Sequence, residues 1–519
     1  MIISLTKLIT DHGKNGEFQK SRKIFDEMPH RNQITWNAML TVLVHSLQLE
    51  AACQLFEEMP ERDSTSYTLM ISGFSRSGLV IEARELFDSI PSSHQNVVLW
   101  TAMISCYTLN RLSLQALKLF CSCYGDFFAL GIVPNSFTFS IMLKVCADMQ
   151  SRATADQIHA LIVKLLDEED RGNVFVQNSL IDLHSKFGDL IKAEKIFNGL
   201  KWRDLSTWNT IMACYTRHSL VDKALEVFFS MKEKDTLSWN IVMSCLGDSG
   251  RGEEALMLFH HLLRLSTPVK PNPSTYTIIL TVCATLTALE LGRQIHTCTV
   301  KLGLSQNNVF TGNSLITMYA RCGQVNDLEQ VFSEMPKKDV VSWNSVILGL
   351  GQNGYARKAL EIAKKALKLE AFNHNTFIAI LTSCSHGGMV DEGMECFRTM
   401  REDYGIEPCM DHYICVIDML GRAGRITDAH NIFPEMTFGP NSVAWMTLLS
   451  ACLAHENAQV GEIAARELQN LEPDNVTSYV MLASLYGKTG RVEESKKVLS
   501  LMRKKQLRKE PGCSWIVEM

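Results

Sequence analysis

Apolar residues recur along the chain at steps of three and four, the spacing that gathers side chains on one face of a helix, and short breaks punctuate the pattern. Between Val309 and Asp339, Leu315, Met318 and Tyr319 share such a face, Gly323 interrupts it, and Leu328, Val331 and Phe332 resume it. The stretch reads as helix, turn, helix. Because the 3.6-residue period holds throughout, essentially no strand is expected, and Pro and Gly are expected only at turns and boundaries.

The breaks themselves repeat. Phe25, Phe56 and Phe87 stand 31 residues apart and open one phrase, Phe25-Asp-Glu-Met28-Pro29, Phe56-Glu-Glu-Met59-Pro60 and Phe87-Asp-Ser-Ile90-Pro91, which returns at Phe332-Ser-Glu-Met335-Pro336. Phe197, Phe228 and Phe259 keep the step of 31 without the proline. A second phrase occurs at Trp36-Asn37, Trp208-Asn209, Trp239-Asn240 and Trp343-Asn344, the first three twenty residues before a Phe of the series. The proline after the Met marks where a second helix must stop, since it has no N–H to donate and disfavours helix in the residue before it.

Fixed-period helix pairs that cannot bury their apolar faces alone must stack on one another. The expected fold is therefore all-α, a right-handed α-solenoid (superhelix) of helix-turn-helix repeats. Units fall at about 2–32, 33–63, 64–96, 97–135, 136–173, 174–204, 205–235, 236–272, 273–308, 309–339, 340–373, 374–409 and 410–441, thirteen in all.

Composition narrows the alternatives. The 519 residues are 46% hydrophobic and 21% charged, with no apolar run of membrane-spanning length, which reads as soluble and folded. With 51 basic and 56 acidic residues the formal charge is −5, so a nucleic acid would not be held by a globally basic surface. The 16 cysteines are scattered and none makes C-x-x-C, Cys121 and Cys123 being the nearest pair, so they read as small buried hydrophobes in a reducing compartment. Met1 to Thr10 carries one Lys and no small-residue cleavage site, so no signal or transit peptide is visible.

Units of 31 residues alternate with longer ones, two of which carry Gln157-Ile158-His159 and Gln294-Ile295-His296. With the Trp-Asn and Phe-x-x-Met-Pro phrases, this mixture resembles plant pentatricopeptide repeat proteins of the subclass that combines long, short and standard motifs. The tail adds Leu420-Gly421-Arg422-Ala423-Gly424-Arg425 and Glu510-Pro511-Gly512-Cys513-Ser514-Trp515-Ile516, similar to that subclass's last short repeat and to the box closing its extension motifs. The resemblance divides the chain into a repeat array over 2–441, two helical extension motifs over 442–510 (442–475 and 476–510), and the start of a truncated box over 511–519. Many such relatives continue into a deaminase-like domain with an H-x-E and C-x-x-C zinc signature, which this sequence lacks. Ile2 already lies inside a first helix, which suggests that upstream residues, including a targeting peptide, precede it; the sequence leaves open whether either end is truncated.

Apparent chemical motifs dissolve in the repeat register. Gly349-Leu-Gly351-Gln-Asn-Gly354 satisfies G-x-G-x-x-G, but Gly354 falls where Gly78, Gly188 and Gly323 fall, at the turn between paired helices, with no strand before it. His260-His261 lies late in a second helix, and no H-E-x-x-H occurs. No catalytic residue, metal site, cofactor or small-molecule substrate is expected, and the chain is read as not an enzyme.

The resemblance implies that each unit takes one RNA base, read by its fifth and last residues. The fifth positions are Thr6, Asn37, Thr68, Thr101, Asn178, Asn209, Asn240, Asn313 and Asn344; the last are Asn32, Asp63, Asn96, Asn135, Asp204, Asp235, Asn272, Asp339 and Asn373. Asn and Thr are mediocre helix formers, so their recurrence at one register needs a reason. The last positions have a competing explanation, because Asn and Asp are preferred helix caps. For recognition, an ionised Asp only accepts and suits the ring N–H of uracil or guanine, whereas an Asn amide also donates and suits adenine N1 or cytosine N3. In the family, Asn at the fifth position goes with pyrimidines and Thr or Ser with purines. The expected order is 5′-AUAA?UUY?UY, the unread places belonging to 136–173 and 273–308.

The resemblance implies single-stranded organellar RNA as the ligand, C-to-U editing as the process, and a deaminase-carrying protein partner in trans. It places the protein in the mitochondrion, with the chloroplast as alternative, and not at a membrane. In the extension motifs Tyr479, Leu482, Leu485 and Tyr486 beside Arg503-Lys504-Lys505 form a stripe read as core before docking surface. The alternatives are an organellar splicing or stability factor, or a tetratricopeptide-like protein scaffold, whose 34-residue period and W-x₂-L-G-x₂-Y phrase do not dominate here.

Overall fold

The computed structural model describes residues 2–130, 133–167, 172–265, 269–304, 308–505 and 507, and among these there are helices and no strand. The protein is an α-solenoid. It divides into two compact parts, Met1–Cys245 and Leu246–Met519, the division falling inside the helix Thr236–Asp248. Gln33–His45 with Leu49–Glu58 and Leu205–Arg217 with Val221–Ser230 exemplify the helix pairs of the first part. Val309–Arg321 with Val325–Glu334 does so in the second. The extension region is built alike, from Ser442–Ala454 with Ala458–Leu471 and Val476–Lys488 with Val492–Lys504. The box from Glu510 to Ile516 and the whole of 511–519 lie outside the described residues.

Within each part, a first helix packs against its own second helix and against the first helix of the next repeat. The two sequence phrases meet at that joint. The Phe that opens the first phrase touches the aromatic residue at the fourth position of the following repeat: Phe25 with Trp36 at 5.0 Å between ring centroids, Phe87 with Trp100 at 4.9 Å, Phe228 with Trp239 at 4.8 Å and Phe332 with Trp343 at 5.0 Å, all edge to face. Such geometry adds about 0.5–1.5 kcal/mol to the burial of the rings themselves. A cation closes the joint from outside. Arg31 donates from Nε to the Phe25 carbonyl at 2.9 Å with its guanidinium 4.6 Å from that ring, and Arg203 repeats this on Phe197 at 3.0 and 4.6 Å. The second helices end where the proline phrase predicts, at Glu27, Glu58 and Glu334.

One expectation needs correction. Glycine is not confined to turns: Gly13, Gly73, Gly312, Gly349 and Gly351 lie inside helices. A Cβ on Gly351 would stand 2.1 Å from Ser383 Oγ, so here glycine permits the close approach of neighbouring first helices. Periodicity marks which face is apolar, but not how near the next helix comes. The stripe Tyr479, Leu482, Leu485 and Tyr486 is buried and belongs to the core.

The turn between paired helices requires one residue in the left-handed region. Gly323 supplies it at φ 74°, but elsewhere the position holds a side chain, as at Leu47 with φ 56°. A left-handed L-residue costs roughly 1–2 kcal/mol, and Leu47 is 66% exposed, so little packing offsets the strain. Leu47→Gly is therefore expected to raise stability by about 1 kcal/mol in urea denaturation, while Gly323→Leu lowers it by about as much. No gain at position 47 would show the turn to be unstrained.

Candidate functional site

All nine last-position residues immediately precede a helix, and each accepts through Oδ1 from a backbone N–H of that helix's first turn. The distances run from 2.7 Å for Asp204 with Thr207 N to 3.2 Å for Asn373 with Thr376 N. The capping explanation is thus realised in all nine of these units, at a worth of about 1 kcal/mol each. Capping uses only one of the two terminal atoms. An Asn must turn its oxygen to the N–H, which leaves Nδ2, a donor; an Asp leaves Oδ2, an acceptor.

Four fifth-position residues reach their own unit's last residue. Asn37 Nδ2 donates to Asp63 at 3.2 Å, Asn209 to Asp235 at 3.2 Å, Asn313 to Asp339 at 3.2 Å and Asn344 to Asn373 Oδ1 at 3.3 Å. Thr6 and Thr101 connect indirectly, their hydroxyls lying 2.9 and 2.7 Å from Thr35 and Thr138, which in turn hydrogen-bond Asn32 and Asn135. No hydrogen bond connects Thr68 with Asn96, where Leu99 replaces the intervening hydroxyl, and Asn178 donates to Ser206 Oγ at 3.3 Å instead of to Asp204. Asn240 and Asn272 fall on opposite sides of the division between the two parts.

Two further positions escaped sequence reasoning. The third residue of most units is a fully buried Ser or Thr; Ser66 and Ser238 donate from Oγ to Asn37 and Asn209 Oδ1, both at 2.8 Å. The signal was present as Ser or Thr two residues before seven of the nine fifth positions, Leu99 and Val176 being the exceptions. The second residue is often apolar yet exposed, as with Ile34, Phe137, Phe175, Leu237, Phe310 and Val341. Its signal was an apolar residue off the helix's buried stripe.

In the first part these positions converge on an open groove lined by Phe137, Phe175, Asn178, Asn209, Asp235 and Leu237. Burial alone would raise the carboxyls of Asp63, Asp235 and Asp339. The serine N–H and hydroxyl of the next helix and the fifth-position amide outweigh it and hold each below the usual carboxylate value. These groups are acceptors at neutral pH. The Oδ1 atoms of Asn178, Asn313 and Asn344 are buried without a hydrogen-bond partner, a deficit that costs roughly 1–3 kcal/mol for each unsatisfied group. From residue 374 onward the register changes, the fifth residues being Ile378, Ile414, Met446 and Val480, which offer no hydrogen bond.

Comparison with known proteins follows the same register. The PPR repeat model matches residues 3–32, 34–64, 65–94, 98–123, 178–205, 206–236, 313–340, 341–369, 376–404 and 411–437, more than half of the chain. A PPR repeat family model matches 234–285, and an E motif model matches 455–517. The chain is 36% identical over 433 residues to the chloroplastic pentatricopeptide repeat-containing protein At3g57430 of Arabidopsis thaliana, covering 81% of this chain and 44% of that protein. It is 32% identical over 423 residues to the mitochondrial At2g03880 of the same plant, covering 81% and 60%. The chain thus spans about half the length of these relatives. Among solved structures, the crystal structure of the pentatricopeptide repeat protein PPR10 in complex with an 18-nt psaJ RNA element superposes with a TM-score of 0.50 at 16% identity, covering 98% of this chain and 81% of that one.

The two roles of a last residue separate by substitution. Asp235→Ala removes the acceptor for Ser238 N–H and should cost about 1 kcal/mol in chemical denaturation, whereas Asp235→Asn keeps a capping oxygen and should stay within about 0.5 kcal/mol of the wild type. Equal losses would show that the second oxygen is structural too.

Proposed function

The chain belongs to the pentatricopeptide repeat family, and from that premise we propose that it binds single-stranded RNA with one base per reading unit, as an organellar factor that addresses a cytidine for C-to-U editing. The observation that carries the RNA reading is the pairing of fifth with last residues. Four of the nine pairs are joined by a direct hydrogen bond and two through an intervening hydroxyl, and the cap leaves one terminal polar atom on each last residue, at a register where stability alone would favour Ala or Leu. PPR10, which shares the fold, is held with RNA in its crystal structure.

The chemistry of each pair follows from the atoms that capping leaves. An Asn with an Asp presents a donor and an ionised acceptor, matching the O4 and N3–H of uracil; this describes Asn37 with Asp63, Asn178 with Asp204, Asn209 with Asp235 and Asn313 with Asp339. A Thr with an Asn presents an acceptor and a donor, matching N6–H and N1 of adenine, in the pairs Thr6 with Asn32, Thr68 with Asn96 and Thr101 with Asn135. Asn240 with Asn272 and Asn344 with Asn373 suit a pyrimidine. The exposed second-position side chains, among them Phe175 and Phe310, offer apolar faces on which bases stack, worth roughly 1–3 kcal/mol per base. The strand 5′-AUAA?UUY?UY is the proposed target.

The editing assignment draws on the E motif match over 455–517 and on relatives named for the chloroplast and the mitochondrion. In this reading residues 2–441 hold the address and 442–510 carry the extension motifs that recruit a deaminase-bearing partner in trans. The apolar fifth residues of the extension motifs, Met446 and Val480, fit that division of labour, since they cannot read a base by hydrogen bonds. The mitochondrion is the proposed compartment.

Exchanging Asp204 for Asn preserves a cap but replaces an acceptor by a donor. It should move preference at the sixth base from U toward C by about tenfold in gel retardation, a difference of about 1.4 kcal/mol. Uniform weakening against every RNA would reduce Asp204 to a cap. Removal of residues 442–519 should leave RNA affinity within about threefold while abolishing conversion of the target cytidine in the organelle, so editing that survives the deletion would refute the recruiting role.

A further inference from the structure

The second residue of a second helix is ordinarily polar in this chain. Glu50, Asp222, Glu290 and Asp391 occupy it and are exposed, and an acidic side chain there suits the unpaired N–H groups of the first turn. Four consecutive repeats break this rule. Ile81, Leu114, Ala153 and Ile191 take the position in the helices Val80–Asp88, Ser113–Leu130, Arg152–Leu165 and Leu190–Gly199, and the three large side chains are 72%, 51% and 80% exposed. On either side of these four the position returns to Glu50 and Asp222. Stability favours neither the loss of a first-turn carboxylate nor an isoleucine left in water, so an apolar run confined to neighbouring repeats points to a contact.

The four residues form one row. Two positions further along their helices, Ala83, Ala116 and Ala155 are buried in a single core. Asn110 Nδ2 joins the turns ahead of the first two helices by donating to the Ser75 carbonyl at 3.1 Å, and Arg152 stands 3.7 Å from Asp189 at the start of the last two. The groove residues Phe137, Asn178, Asn209 and Leu237 all belong to first helices, so the row lies apart from the groove.

We propose that this row docks a single amphipathic helix of a partner protein, laid across the four second helices. Packed helices stand about 8–10 Å apart, and seven residues of a helix advance about 10.5 Å, so side chains at a heptad spacing meet successive members of the row. Ala153 leaves a gap between Leu114 and Ile191 into which a large side chain fits. The row is one side chain wide. Its three large residues leave on the order of 300 Å² of apolar surface in water, against about 800 Å² per partner in a stable dimer, which argues for a helix over a second copy of this chain. Charge sets the direction. Exposed Glu82 and Glu85 flank one end and exposed Lys195 the other, and among the described residues none of the three is in an ion pair. A helix is partly positive at its N-terminus and partly negative at its C-terminus, so the partner helix starts over Glu82 and Glu85 and ends over Lys195.

The probe is a peptide of about 24 residues with Leu at heptad a and d positions, Lys in its first third and Glu in its last, titrated into the full chain in fluorescence anisotropy. Micromolar binding is expected. Ile81→Glu, Leu114→Gln and Ile191→Asp together install residue types that the position holds in other repeats, so thermal melts should match the wild type. Peptide affinity should fall at least about tenfold, while affinity for an RNA of the proposed order stays within about twofold. A benzophenone at the peptide's N-terminus should label 64–96, and Glu85→Lys with Lys195→Glu should move the label to 174–204. Equal peptide affinity in wild type and triple variant would overturn the site, and labelling of 174–204 in the wild type would overturn the direction. Self-association in sedimentation without peptide, or binding to phosphatidylcholine vesicles, that the triple variant abolishes would replace the partner helix by a second copy or a lipid surface and overturn it. Failure of RNA binding in wild type and variant alike would overturn the RNA reading alone.

Discussion

The start of nearly every first helix depends on a single acceptor supplied by the preceding repeat. The opening turn of a helix has backbone N–H groups with no partner inside it, and in this protein the last residue of one repeat supplies an oxygen to the next. That bond ties the boundary between repeats to the geometry of both. It also fixes a rotamer. Because Oδ1 must face the helix, the other terminal atom has only one way to point, and its identity, amide nitrogen or carboxylate oxygen, is set by the choice between Asn and Asp. Capping and recognition were rival explanations from the sequence; in the folded chain the cap engages one terminal atom and leaves the other for the role proposed above.

The joint between Phe and the fourth-position aromatic holds the frame in which this works. Phe25 on Trp36 and Phe332 on Trp343 repeat one edge-to-face geometry, and the same spacing of helices follows from it. Where a repeat departs from the rule the neighbours compensate: Gly312 occupies the fourth position of its unit, and a Cβ there would fall 2.7 Å from the Met335 methyl, so the methionine takes the space that an aromatic ring takes elsewhere. Arg31 and Arg203 cover the joints with their guanidinium planes and satisfy the carbonyl of the Phe beneath. This constant frame lets the groove residues vary without disturbing the core.

Variation at the groove has a cost that the core does not show. Asn at the fifth position is a poor helix residue, and in three units its buried oxygen finds no partner. In two others a serine from the next repeat satisfies it, with Asn37 Oδ1 held by Ser66 and Asn209 Oδ1 by Ser238. A side chain retained against its own helix propensity and against full hydrogen bonding is kept for what it presents outward.

Much of this was legible in the residues themselves. Periodicity of 3.6 gave helices, the 31-residue step gave their pairing, and the Met-Pro phrase placed the ends of second helices, because each of these is a local property of the backbone and its immediate neighbours. The identities of the fifth and last residues were likewise plain, since they recur at one register. Their relation was not. Whether Asn178 meets Asp204 or turns to Ser206, whether Asn173 caps through Phe175 or through the residue after it, and which carboxamide oxygen is satisfied all depend on side chains some 28 to 37 positions away along the chain. The glycines inside helices make the same point from the core: Gly351 reads as a turn residue until Ser383 is seen to lie where its Cβ would be. Sequence determined the repeat and its chemistry because both are written within one unit; tertiary structure decided which atoms remain free, because that is settled only where one unit packs against the next.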